Sequence, residues 1–156
     1  MNNEIEFDTS QVDLKSKLQL HLPILITLMG DNSFAWDGVN RLFIEKYSIR
    51  HAKYVAANNY LQVEINFFDV ISQTLLGNRN YLPLYTYFKR LMEELDMQLT
   101  SRNKVLLSGT FRSLLTNWDL KFLNFIGELS VLNNLLKSGY QPDASDVRDV
   151  CQHLTR

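Results

Sequence analysis

The sequence predicts an all-α protein, and two observations carry that expectation. In every long segment the apolar residues recur at three- and four-residue steps, the spacing that lines up one side of an α-helix. Clusters of Gly, Asn, Asp and Ser separate these segments, which are longer than a typical strand. With 156 residues, 46% apolar and 21% charged, the chain is the size of one globular domain with a real core. Residues 1–10 read as a flexible polar lead-in and residues 11–156 as a single all-helical domain.

The first helix is expected from a cap at Ser10 to about Met29, with Leu14, Leu18, Leu22 and Leu25 as a four-residue ladder. Pro23 falls inside it, removes a backbone donor and pushes on the carbonyl four residues earlier, so a kink or break belongs there. Gly30, Asp31 and Asn32 end the segment because all three tolerate turn geometry. Residues 33–47 resume the pattern, with Trp36, Val39, Leu42, Phe43 and Tyr47 on one face and Asp37, Asn40, Arg41 and Glu45 on the other. Residues 49–57 are moderately helical, and Asn58-Asn59 either interrupts them or caps a new helix. That new helix is expected over residues 59–76, where Leu61, Ile65, Phe68, Ile71 or Ser72, and Leu75 recur at helical steps. The alternation in LQVEINF also fits a short strand, but a strand without a partner is not stable.

Residues 80–99 form the next expected helix. Pro83 sits near its first turn, where a missing donor costs nothing, and Leu84, Phe88, Leu91, Leu95 and Leu99 make its buried stripe. A shorter helix follows from Ser101 or Arg102 to about Leu115, with Val105, Leu106, Phe111, Leu114 and Leu115 apolar and Ser108-Gly109 as a weak point. The best-defined core helix covers residues 117–137, NWDLKFLNFIGELSVLNNLLK. Trp118, Phe122, Phe125, Ile126, Leu129, Leu132 and Leu136 share its inner side, Asn117 can cap its start, and Ser138-Gly139 stops it. Past the turn at Gly139 to Pro142, Asp143 opens a last helix whose Val147, Val150, Cys151 and Leu154 point inward, while Asp143 and Asp146 favour its positive end. The total is about seven helices on short loops, which force chain neighbours to run antiparallel. A compact helical bundle and a stack of antiparallel helical hairpins of the solenoid kind both satisfy that constraint.

Little in the chain is chemically reactive. His21, His51 and His153 lie on three different expected elements, and none has a second ligand three or four residues away as a helical metal site requires. Glu93, Glu94 and Asp96 read as a solvated face, because adjacent helical residues point in different directions. Cys151, the single cysteine, reads as a small core residue; its solitude excludes an intrachain disulfide and a cysteine zinc site. The chain carries no GxGxxG, phosphate loop or nucleophile elbow. The expectation is therefore no catalytic residue, no metal and no cofactor. A formal net charge of −1 gives no global field toward nucleic acid or an anionic membrane. The amino end is polar and acidic, without the order of a signal peptide, and the longest apolar run, residues 22–29, is too short to span a bilayer. A cytoplasmic protein is expected, with no membrane partner.

Two features are candidates for a binding surface. Lys89, Arg90, Arg102, Lys104 and Arg112, with Lys121, give a basic tint to residues 89–121, and Tyr85, Tyr87 and Phe88 stand nearby. Glu93, Glu94 and Asp96 interrupt the set, so an ordinary mixed surface is the preferred reading; as a patch it would contact an acidic protein loop or, with weaker support, RNA phosphates. Trp36 is the second, as a partner anchor or, preferably, a core residue.

The run from Lys121 to Leu129, KFLNFIGEL, continued by SVLNNLL to Leu136, resembles the phrase of aromatic, Ile, Gly, Glu and Leu in the middle domain of the eukaryotic translation initiation factor 4G family. The resemblance implies a short or divergent HEAT-like solenoid of stacked helical hairpins, acting as a non-enzymatic scaffold. Its implied partners are an RNA helicase or translation and messenger-RNA factors. The other reading is a small helical regulatory adaptor, inhibitor or immunity protein, bacterial or phage, acting on one dedicated partner.

Overall fold

The computed structural model describes residues 13–30, 35–45, 67, 70, 82–116, 122–143 and 145–149. Among them every regular element is an α-helix. Helix α1 (Leu14–His21) starts later than the Ser10 cap expected from sequence, and Ser10 lies outside the described residues. The cap is Asp13, whose Oδ1 accepts from the Ser16 amide at 3.2 Å and whose Oδ2 accepts from the Ser16 hydroxyl at 2.7 Å. A carboxylate offers more acceptor sites there than the Ser10 hydroxyl would. Asn40 adds a second cap from another helix, its Oδ1 accepting from the Leu14 amide at 3.0 Å.

Pro23 breaks the first segment as expected. Leu22 leaves helical geometry at φ −141°, ψ 54°, and α2 (Pro23–Met29) restarts with the proline in its first turn. The break leaves α1 with an unclaimed carbonyl at His21, and the Tyr85 hydroxyl donates to it. Leu14, Leu18, Leu22 and Leu25 are all buried, so the ladder survives the change of direction. Gly30 closes α2 in the left-handed region at φ 67°, the backbone reason for glycine at that point.

Residues 36–45 form α3, burying Val39 and Phe43, with Trp36 and Leu42 packed partly against the core. In the expected 59–76 helix the described residues are Phe67 and Val70, both helical and buried. They stand one step off the expected ladder of Leu61, Ile65, Phe68, Ile71 and Leu75, which lies outside the described residues. Helix α4 (Leu82–Gln98) buries Phe88, Leu91, Met92 and Leu95. Thr100 caps α5 (Ser101–Thr116), its hydroxyl accepting from the Asn103 amide at 3.2 Å. This helix runs unbroken through Ser108-Gly109, the weak point expected from sequence, and it exposes Val105 while burying Asn103 and Thr110. Leu107, Phe111, Leu114 and Leu115 set its phase. The bulk of those four side chains outweighs one outward valine.

Helix α6 (Phe122–Lys137) buries Phe122, Phe125, Ile126, Leu129 and Leu132, as its periodicity predicts; Asn117 and Trp118 lie outside the described residues. Gly139 ends it at φ 88°. The Gly139 amide donates to Leu136 O and the Tyr140 amide to Leu135 O, both at 3.1 Å, which is a Schellman motif. Asp143 then caps α7 (residues 145–149). Its Oδ1 accepts from the Ser145 and Asp146 amides at 2.7 and 3.0 Å, and Asp146 Oδ2 accepts in return from the Asp143 amide at 3.0 Å. This reciprocal capping box satisfies donors on both sides of the helix start.

The principal packings among the described residues are α2 on α5, α4 on α6, α2 on α4 and α1 on α2. At their centre Phe88 meets Phe67, Phe122 and Phe125 with ring centroids 5.6, 5.2 and 6.4 Å apart, and Phe111 meets Phe125 at 6.0 Å. These rings face each other edge to plane, the arrangement their quadrupoles favour.

Gly127 has no internal packing role among the described residues. It is exposed in the middle of α6, and a Cβ built on it would meet nothing within 4 Å. Gly127→Ala is expected to raise the unfolding free energy by about 0.5–1 kcal/mol, because alanine restricts the unfolded chain without a clash in the helix. Urea unfolding midpoints compare the two; a drop in the variant would reveal a neighbour pressed against this position.

Candidate interaction surface

Three of the basic residues singled out from sequence, Arg90, Lys104 and Arg112, are engaged within the fold. Arg90 Nε lies 3.2 Å from Glu94 Oε1 within α4. Lys104 of α5 reaches back across the tight α4–α5 turn, its Nζ 2.9 Å from Asp96 Oδ1. That oxygen is shielded from solvent and takes its compensation from the ammonium charge rather than from an aligned hydrogen bond. Arg112 is tied most firmly into the fold. Its Nε and Nη2 donate to the Met29 carbonyl at 3.1 and 2.9 Å, so the guanidinium closes the C-terminal end of α2. The negative end of a helix dipole is a favourable place for that charge. Lys89 is half-buried and Arg102 exposed, while Lys121 lies outside the described residues.

The accompanying aromatics divide in the same way. Phe88 is a core ring. Tyr85 holds the end of α1, and burial, with the Glu93 charge, pushes its phenol upward from the ordinary value. Tyr87 hydrogen-bonds Ser130 Oγ of α6 at 2.8 Å. Trp36 packs partly against the core with Lys15 Nζ 5.9 Å from its ring centroid, a cation–π distance. His21 is exposed; His51, His153 and Cys151 lie outside the described residues.

Glu94 is the hub of a polar seam between α4 and α6. Its Oε2 receives Lys137 Nζ and Asn133 Nδ2, each at 2.6 Å, and the buried Asn133 also accepts from Gln98 Nε2 at 2.7 Å. The Lys137 and Asn133 hydrogen bonds hold the Glu94 carboxyl down to about 2 from an ordinary 4.5, with the Lys137 and Arg90 charges helping. A folded-state value below the unfolded one means that the seam stabilises fully above 4.5 and loses its contribution as pH falls toward about 2. Glu94→Gln is accordingly expected to flatten the decline of stability over that acidic window. Urea unfolding at stepped pH measures it, and parallel declines in wild type and variant would remove Glu94 from the account.

The other side of α6 is open and apolar. Leu123, Val131 and Leu135 are 52%, 58% and 42% exposed, and with the exposed Gly127 they form a single four-residue row down the helix. Tyr140, held by the Schellman turn, extends the row. Beside it α6 and α7 enclose an open groove of about 230 Å³, with Val131, Leu132, Leu135, Tyr140 and Pro142 as its apolar part and Glu128, Asp146 and Asp149 at its margin. The Tyr140 hydroxyl donates to Asp146 Oδ2 at 2.8 Å. That bond, and the Asp146 charge, push the Tyr140 phenol upward. Asp146 therefore closes the α7 capping box and anchors the groove's aromatic wall at once.

Sequence reasoning missed this surface. The signal was present: α6 carries apolar residues at positions 123, 131 and 135, outside the stripe that fills the core. A helix apolar on both sides departs from the single stripe of an ordinary surface helix. Among the described residues no three His, Cys, Asp or Glu side chains gather as a metal site would need, and no helix is long and apolar enough to cross a membrane. Set against known protein families, curated proteins and solved structures, the chain matches none.

Proposed function

We propose that the protein is a non-enzymatic interaction scaffold or adaptor that works in the cytoplasm by binding another protein. The observation that carries this reading is the exposed apolar row of α6, Leu123, Val131 and Leu135, continued by Tyr140. Contiguous apolar surface is costly to leave in water, and protein interfaces are built around such anchors. The resemblance of residues 121–136 to initiation factor 4G middle domains nominates an RNA helicase or a translation or messenger-RNA factor as the partner class. Within that run Phe125, Ile126 and Leu129 serve the core, while Gly127 and Glu128 face outward. The α6–α7 groove, enclosed by two short stretches of one chain, favours the second reading of a regulatory adaptor with one dedicated partner.

Affinity capture from a matched cell extract, with and without nuclease, separates the two. Helicases and translation factors retained after nuclease support the scaffold; one dedicated protein supports the adaptor. In either case Val131→Glu, which places a charge in the middle of the apolar row, should strip the partner. Undiminished capture by the folded variant removes the α6 row from the account.

A further inference from the structure

We infer that the α6–α7 groove is the docking site for a basic amphipathic helix of a partner protein, an inference that rests on the protein-binding reading common to scaffold and adaptor and specifies its ligand. Three properties of the surface select this occupant. Its margin is acidic: Glu128, Asp146 and Asp149 stand around the apolar part, and no described lining residue is basic. Arg148, the basic residue of α7, is not among the residues that line the groove. On a chain of net charge −1 this is a local concentration of carboxylates that lysine or arginine would complement and phosphate would not. These carboxylates disfavour the phosphates of RNA on the described part of this face.

Size comes next. A volume of about 230 Å³ falls below the roughly 300–1,000 Å³ of small-molecule sites, so the groove suits anchor side chains of a polypeptide. Shape favours a helix. The row Leu123, Gly127, Val131 and Leu135 follows the four-residue ridge of α6 for about 18 Å, at 1.5 Å per residue. Ridges of that kind pack into the grooves of a second helix, whose apolar residues recur at three- and four-residue steps. Gly127 makes a notch in the ridge, and the absence of a Cβ there lets a partner backbone approach closely. That explains a helical glycine for which the described fold has no internal use. A second copy of this chain is the weaker candidate, because a two-fold contact sets the same patch against itself and would oppose carboxylate to carboxylate.

The test uses the full chain and a fluorescent synthetic peptide of about 18 residues, built from Leu and Lys in an amphipathic helical pattern. Its controls are the same pattern with Glu replacing Lys and a shuffled Leu/Lys peptide. Fluorescence anisotropy is expected to show binding of the patterned Leu/Lys peptide only, weakening as salt rises. Reversing the margin with Glu128→Lys and Asp149→Lys together should weaken it by about tenfold or more and improve the Leu/Glu peptide. Val131→Glu and, separately, Leu123→Glu should do the same to the apolar contact, and Gly127→Ala should lower affinity without unfolding the protein. Equal binding of patterned and shuffled peptides, or unchanged affinity in the folded margin-reversal variant, would overturn the inference. So would sedimentation showing that Val131→Glu dissociates a dimer of this chain. If the peptide fails while Val131→Glu still strips partners from extract, the occupant is wrong and the protein-binding reading stands; if Val131→Glu strips nothing, both fall.

Discussion

Replacing Phe88 with alanine is expected to lower the unfolding free energy by about 3–5 kcal/mol. The ring is fully buried and touches Phe67, Phe122 and Phe125, so its loss opens a cavity where α4 meets α6. Each neighbour is itself aromatic and buried, two of them on α6, and large rings held by their own backbone collapse poorly into such a void. Phe125→Ala and Ile126→Ala, on the facing helix, are expected to cost about 2–5 kcal/mol each for the same reason. A domain of this kind has only about 5–15 kcal/mol in total, so Phe88→Ala leaves it near the limit of folding. Urea unfolding followed by dichroism is the measurement. A cost below about 1 kcal/mol would mean that the aromatic cluster is not the centre of the core.

The parts of the fold that were legible in the sequence are those in which a local signal coincides with the final packing. The Leu14, Leu18, Leu22 and Leu25 ladder, the Pro23 break, the Gly30 and Gly139 stops and the Asp143 cap all depend on residues within a few positions of one another. Periodicity failed where it had no contrast to work with. On α5 the apolar list of Val105, Leu106, Phe111, Leu114 and Leu115 did not single out an inner face, and the rotation that buries Asn103 and Thr110 and exposes Val105 is imposed by four bulkier residues. On α6 apolar residues lie on both faces, so the inner stripe was evident and the outer row passed unnoticed. Charge was the hardest to read. Lys104 and Arg112 look like free surface in a linear sequence, yet their partners are Asp96, beyond a turn, and the Met29 carbonyl, separated by 83 positions. No pattern confined to one helix encodes a contact of that range.

Arg112 is where these two meanings of a basic residue are separated most sharply. Arg112→Met keeps most of the side-chain stem but deletes both donors to Met29 O, and is expected to cost about 1.5–3 kcal/mol, the range for hydrogen bonds to a charged group. The loss should be felt at the α2–α5 contact, one of the main packings of the fold, where the last turn of α2 would keep an unanswered carbonyl beside the buried Met29 side chain. Arg102→Glu, on an exposed first-turn position of the same helix, should change stability by less than about 0.5 kcal/mol. Unfolding curves for the two variants, with extract capture on both, decide between brace and patch. A stable Arg112→Met that has lost its partner would restore Arg112 to a contact surface. A destabilised one that still captures its partner whenever it is folded, beside an Arg102→Glu indifferent in both measurements, fits a guanidinium whose work is to hold α2 against α5.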